Sequence, residues 1–509
     1  QNKTQSSANL RLRFNPELVI SDNLRVNTQI DVLDNVVLGS TPGGYRNEPS
    51  GDGGYAVAER NGYVPLGFYE NTQAPSASGI NSLNDSINVK RAWAEYVTPV
   101  GQLRFGRMPS HWGLGIFQNS GDGYDADYQS TVDRIAVVTG IKPLDLYIAG
   151  AWDFPNEGAT SQAFSPPGGQ AYDLAQLDDV DQYVLAVFRQ KSPELLKLAL
   201  ARGDLVVNGG LYVMHQNQLL ANDANGPLAD CSSPDSSSGA AAIDCAAGEA
   251  SGFVRRGASF WVPDAWLQLL YRKFRFEAEV ITIQGHIENT QTAPEASDYV
   301  NPNGDNGWDV NQWGIATEIE QKLVEDKLRL GFHWGWASGD ADVEGLIPLD
   351  AENGGQLGDR TLSTFRFHPA YRLDLILHKN LLTRVQGTYY FRPSVIYDFM
   401  RTPQGQRIGG GVAGIWTRAS QFIQAPGHER DLGIELNAQL YFQSKDGGYN
   451  DNPENLGGFF TKLEYGVLFP MGGLGYQEGE IRAITPVLGA DATDVGTAQT
   501  LRWFLGVLF

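Results

Sequence analysis

The chain has 509 residues, with 38 Lys and Arg against 59 Asp and Glu, a formal net charge of −21 and a hydrophobic fraction of 42%. The acidic surplus argues against nucleic acid as a partner, and no run of about eighteen apolar residues exists that could cross a bilayer as a helix. Gln1 is followed by polar residues rather than a basic and then an apolar stretch, so the sequence reads as a processed chain whose signal peptide is gone.

Strand alternation organises the rest. In NLRLRFNPELVI, Leu10, Leu12, Phe14, Leu18 and Ile20 alternate with Arg11, Arg13, Asn15 and Glu17. After a turn at Ser21-Asp22-Asn23 the pattern resumes, with Leu24, Val26, Ile30 and Val32 set against Arg25, Asn27, Gln29 and Asp31. This is a hairpin with one apolar and one charged face. Further strands are expected near 87–98, 101–109, 131–141, 144–154, 180–191 and 204–216, with short turns at Pro99-Val100, Lys142-Pro143 and Ser192-Pro193. A second clear hairpin (258–271, 274–287) turns at Arg272-Lys273 and sets Phe274, Phe276, Ala278 and Val280 against Arg275, Glu277 and Glu279. A third (308–322, 326–339) turns at Glu325-Asp326, with Trp313, Ile315, Leu330, Phe332 and Trp334 on one side. Strands over 363–378 and 382–400 flank Lys379-Asn380, the stretch 409–423 (GGVAGIWTRASQFIQ) reads as loop, and strands follow at 431–444, 457–470 and 497–509. The last carries Leu501, Trp503, Leu505, Val507 and Phe509 on one face.

Short turns take turns with long polar loops near 39–86, 110–130, 155–179, 217–257, 288–307, 340–362, 401–430 and 471–497. Strands of about ten residues, short turns on one rim and long loops on the other are the pattern of a transmembrane antiparallel β-barrel with periplasmic turns and extracellular loops. Backbone groups in lipid must pair internally, which forces such a sheet to close. A soluble propeller would repeat at about forty to fifty residues, and no such repeat is present. The expectation is therefore one all-β barrel domain over residues 1–509, of about seventeen strands. Bacterial single-chain barrels have even counts, so either an eighteenth strand lies upstream of Gln1 or one strand in this count is missed or superfluous.

If the apolar faces meet lipid, the polar faces line an interior. Arg11, Arg13, Arg25, Arg91 and Arg104 form a basic wall, and Glu277, Glu279, Glu318, Glu320 and Glu435 an acidic one. Such walls either create a transverse field that steers charged solutes or neutralise one another as filler; the sequence leaves both open. Residues His111, Trp112, Gly113 and Gly115 leave a strand for a loop expected to fold inward as a constriction. Beyond them Asp122, Asp125 and Asp127 could hold Ca²⁺ through oxygen ligands, or form a solvated or arginine-paired acidic loop; the spacing is not that of an EF-hand. Cys231 and Cys245, in DCSSPDSSSGAAAIDC, would close a small surface disulfide in an oxidising compartment, or stay as free thiols. The seven histidines sit in no nucleophile elbow, H-E-x-x-H or C-x-x-C-H motif, so neither an enzyme nor a haem cofactor is expected.

The stretch LRFGRMP looks like the Gly-Arg strand end of many porins. Together with LVISDNLRVNTQIDVLDNVVLGS it resembles a family of uncharacterised outer-membrane barrel proteins of myxobacteria and relatives, best over residues 9–39 and 104–135. The resemblance implies a barrel in the bacterial outer membrane, with lipid and lipopolysaccharide around it, and a further strand before the first matching hairpin. It implies no particular substrate. The expected function is a porin passing small solutes along the arginine wall. The rival is a structural anchor or export conduit whose large acidic loops dock a protein or glycan.

Overall fold

The computed structural model describes residues 8–37, 87–156, 180–222, 253–288, 307–341, 361–403, 405–421, 425, 427, 429–445, 458–476 and 495–508. They form nineteen strands of one sheet, the antiparallel barrel class that the alternation predicts, and the chain divides into two compact units.

The first unit, Gln1–Pro109 with Asp133–Val137, contains β1 (Asn9–Phe14), β2 (Glu17–Ser21), β3 (Leu24–Val37), β4 (Ile87–Thr98) and β5 (Gly101–Pro109). β1 and β2 are the expected first strand broken in two. Pro16 has no N–H to give a ladder, and its carbonyl instead accepts from the Thr28 amide at 3.0 Å. Both pieces pair with β3, β3 with β4 and β4 with β5, all antiparallel. Leu10, Leu12 and Phe14 lie exposed, as the alternation requires.

β6 (Thr131–Ile141) leads on to the strands of the second unit, Ser110–Val132 with Val138–Phe509. These are β7 (Leu146–Asn156), β8 (Val180–Arg189), β9 (Leu205–Asn222), β10 (Phe253–Tyr271), β11 (Phe274–Ile287), β12 (Trp308–Leu323) and β13 (Leu328–Ala337). They continue with β14 (Thr361–Leu362), β15 (Thr388–Arg401), β16 (Arg407–Ala419), β17 (Asp431–Gln443), β18 (Gly458–Pro470) and β19 (Ala498–Leu508). From β7 to β19 each long strand pairs antiparallel with the next, β13 going directly to β15. The two-residue β14 lies parallel beside β12. With β1 and β2 taken as one strand and β14 set aside, the described long strands number seventeen, the predicted count, but one predicted strand is absent and one that was not predicted takes its place.

Three stretches differ from expectation. The Ser192-Pro193 turn is a helix, α1 (Pro193–Arg202), started by Ser192, whose Oγ accepts from the Leu195 amide at 3.5 Å, and ended by Gly203 in the left-handed region. The 401–430 loop contains β16. Its glycines depress strand propensity, but Gly409 has a packing reason: Tyr441 of β17 donates across it to Asp398 of β15, and a Cβ at 409 would lie 2.5 Å from the Tyr441 Cζ. Conversely, 363–378 is not a strand. Pro369 cannot join a ladder, and the chain turns there with Tyr371 N bonded to the His368 carbonyl at 2.9 Å. A single π turn follows at Leu377–Leu381, so Lys379-Asn380 is no hairpin turn. The apolar alternation of 363–378 is real, but Phe365, Phe367 and Leu373 bury against Ala316, Ala337, Tyr390 and Ile415 of β12, β13, β15 and β16 instead of meeting hydrocarbon.

The opposite face of the sheet is apolar and uncovered. Leu185 and Val187 on β8, Leu330 and Phe332 on β13, and Leu436 and Leu440 on β17 all lie exposed, and on β19 Leu501 and Trp503 are 68% and 69% exposed.

Candidate functional site

Two segments of the second unit, 110–130 and 363–387, lie on the inner face of its sheet, and two wall glutamates fix their backbones. In the first, Gly113 and Gly115 adopt φ of +55° and +79°, a left-handed turn open to glycine at little cost. At Gly113 there is a second reason, since a Cβ would lie 2.6 Å from Glu279 Oε2. That carboxylate, on β11 and fully buried, accepts from the amides of Gly115 at 3.0 Å and Ile116 at 3.5 Å. Trp112 anchors the same turn among Phe188, Tyr212 and Trp266, at centroid distances of 6.0, 5.5 and 6.2 Å. The expected inward fold of this loop is thus present.

In the second segment, Glu435 of β17, also fully buried, takes three amides: Leu375 at 2.8 Å, Ile376 at 3.0 Å and Leu377 at 2.8 Å. Asp374 accepts from the amides of His378 at 2.9 Å and Lys379 at 3.1 Å, and its Oδ2 lies 2.5 Å from His378 Nδ1. A tight turn on the inner face leaves its N–H groups outside any ladder, so each must find an acceptor; the buried carboxylates supply it. Burial alone would raise the Asp374 carboxyl, but His378 and the two amides outweigh it and hold it below the usual carboxylate range.

Asp125 ties the segments to each other and to the wall. Its carboxylate receives Arg502 of β19 through both terminal nitrogens, at 2.9 and 2.5 Å, and forms an ion pair with Lys379 of the second segment. Arg502 also lies 3.6 Å from Glu464, which pairs with Lys462. Tyr124 sits between Phe460 and Phe504, each at 5.3 Å. Burial pushes the Asp125 carboxyl up, yet Arg502 and Lys379 together bring it down to about 2. For Lys379 burial wins, and its ammonium falls to about 8 despite Asp125.

Two adjoining cavities, each of about 360 Å³, remain beside these segments. The first is bounded by Asp125, Arg372, Asn437, Lys462, Glu464 and Arg502, and the second by Arg275, Glu318, Glu320, Arg329 and His333. Arg372, Arg392, Ser394, Ile396, Gln439 and Lys462 border both.

The five arginines of the basic wall all belong to the first unit. There Arg13 forks onto Asp31 at 2.7 and 2.8 Å, the exposed Arg25 reaches Glu17 at 3.2 Å, and Arg104 lies 3.5 Å from Glu95. Arg91 is buried, and both it and Arg11 have partners. In the second unit Glu318 and Glu320 border the second cavity. Glu277, Glu279 and Glu435 are instead buried. Glu277 accepts from Trp266 Nε1 at 2.8 Å and Gln268 Nε2 at 3.1 Å, while Glu279 and Glu435 hold the inner segments.

The Ca²⁺ grouping does not assemble: among the described residues no three acidic, His or Cys side chains converge on a cation site. Protein cations already compensate Asp125, and Asp127 lies 3.7 Å from Arg372. Cys231 and Cys245 lie outside the described residues. Sequence reasoning missed Arg372, Lys379, Arg392 and Arg502. The available signal was Pro369 in FHPAYRLDLILHKN, which argues against a through-going strand and so for an inward placement of the cations around it.

No family model matches the chain, and no curated protein matches it in sequence. Among solved structures it is similar to OccK11 (OpdR) of Pseudomonas aeruginosa, with TM-score 0.43 and 8% identity over 98% of this chain and 89% of that one. It is similar to OccK8 (OprE) of the same organism at TM-score 0.41 and 9% identity, covering 100% and 95% of the two chains. OprB of Pseudomonas putida matches at TM-score 0.29 and 11% identity, over 83% and 90%.

Proposed function

We propose that this chain is a β-barrel of the bacterial outer membrane that passes small solutes through a narrow, charged interior, and that it is kin to the myxobacterial barrel family its first hairpins resemble. The observation that carries the reading is the partition of side chains across one sheet. The outer face is uncovered and apolar on successive strands, up to Leu501 and Trp503 on β19, while the inner face of the second unit carries ion pairs and two adjoining cavities. In water such an outer face would drive aggregation; in a bilayer it is the solvent-matched surface.

The inner segments set the cutoff for passage. One observation favours the rival anchor reading: much of the second unit's inner face carries an apolar cluster, including Ile116, Phe365, Phe367 and Tyr390. The two readings part on current. Refolded protein in planar bilayers is expected to show discrete conductance steps, whose ion selectivity shifts when Arg502 or Arg392 is replaced by Gln. A folded, inserted protein that carries no current supports the anchor instead.

A further inference from the structure

We infer that Arg372 and Arg392, at the junction of the two cavities, form a binding subsite for an oxyanion, the carboxylate or phosphate head of a small solute. The inference deepens the channel reading by naming what the narrow interior holds. Several cations on this face have close carboxylates: Arg502 and Lys379 share Asp125, Lys462 has Glu464, and Arg275 has Glu277 and Glu318 at 2.6 and 3.0 Å.

The two junction arginines differ. Arg372 has Asp127 only at 3.7 Å, and its Nε is buried without a hydrogen-bond acceptor. Arg392 spends Nε on the Leu373 carbonyl at 2.9 Å, and its Nη1 lies 3.5 Å from His333 Nδ1. Among the described residues no carboxylate forms an ion pair with Arg392. Both arginines are half-buried at the cavity junction, and the planar fork of a guanidinium matches the two oxygens of a carboxylate or phosphate. The acids bordering the second cavity do not serve as that anion, because Glu318 takes Arg275 and the Tyr371 hydroxyl, and Glu320 lies 3.6 Å from Lys322. Ser394 and Gln439, bordering both cavities, add neutral polar groups beside the arginines.

The test is calorimetric titration of the folded, detergent-solubilised chain with inorganic phosphate and, separately, with acetate. Saturable binding of either probe is expected, and the stronger one identifies the head group. Arg372→Gln and Arg392→Gln should each weaken it at least tenfold, while Lys273→Gln, at an exposed turn, should leave it unchanged. Arg392→Lys keeps the charge without the fork and guards against misfolding of the glutamine variant; it too should bind at least tenfold more weakly. Absence of binding to the wild-type chain, or binding within threefold of wild type in the arginine variants, overturns the inference. Calorimetry needs no current, so binding without conductance would count against the channel reading alone.

Discussion

Replacing Asp125 by alanine should loosen the second inner segment without unfolding the sheet. Asp125 joins Lys379 of that segment to Arg502 of β19, and its carboxyl is brought from the ordinary 3.8 to about 2. At about 1.4 kcal/mol per pH unit, this corresponds to roughly 2 kcal/mol of stabilisation at neutral pH. Because the folded value lies below the unfolded one, that stabilisation is complete above about pH 4 and fades as pH falls through 2. The pins from Glu435 and the apolar cluster stay in place in the variant, so the loss falls on local opening. Hydrogen exchange followed by mass spectrometry in detergent at pH 7 is the assay. Amides of residues 374–382 are expected to exchange about thirtyfold faster, since each 1.4 kcal/mol is a factor of ten. Amides of β9 and β10 should not change. Unaltered exchange in 374–382, or equal acceleration throughout the sheet, would refute the reasoning.

Glu435→Ala should be more damaging, because it leaves the amides of Leu375, Ile376 and Leu377 buried without their acceptor. A loss of about 3 kcal/mol or more is expected, read as a lowered urea midpoint by tryptophan fluorescence, with Glu435→Gln recovering part of it. Gly113→Ala forces a Cβ to within 2.6 Å of Glu279 at φ +55°. It should cost about 1–3 kcal/mol in the same assay, whereas alanine at Gly150, where a Cβ meets nothing within 4 Å, should cost far less. Lys379, lowered from 10.5 to about 8, has lost its proton in the folded chain between those values while the unfolded chain still holds it. Stability from this group therefore rises with pH across that window, and Lys379→Met should flatten the profile; an unchanged slope would count against the burial argument. At Gly409, alanine would strike Tyr441 and break its bond to Asp398, which should lower the thermal midpoint by about 1–3 degrees.

Much of the fold could be read from the chain itself. Alternation with a period of two is a local property, so Leu10, Leu12 and Phe14, or Leu501, Trp503 and Leu505, announce their strands and their outward face without any tertiary knowledge. The inward fold of the loop at Gly113 and Gly115 was legible too, because paired glycines next to a strand end mark a chain that must turn sharply. What alternation cannot say is which environment its apolar side meets. Phe365, Phe367 and Leu373 alternate as well as any lipid-facing strand, yet they close against the inner wall. In the other direction, the glycines of β16 hid a strand whose partners on both sides hold it in place. Charges obey the same division. Local pattern assigned Glu279 and Glu435 to the polar face correctly, but only the folded chain brings amides from 163 and 59 positions away to them, turning lining residues into pins. Likewise, which arginines end up without a carboxylate depends on distances between segments far apart in sequence, and such distances are settled by packing alone.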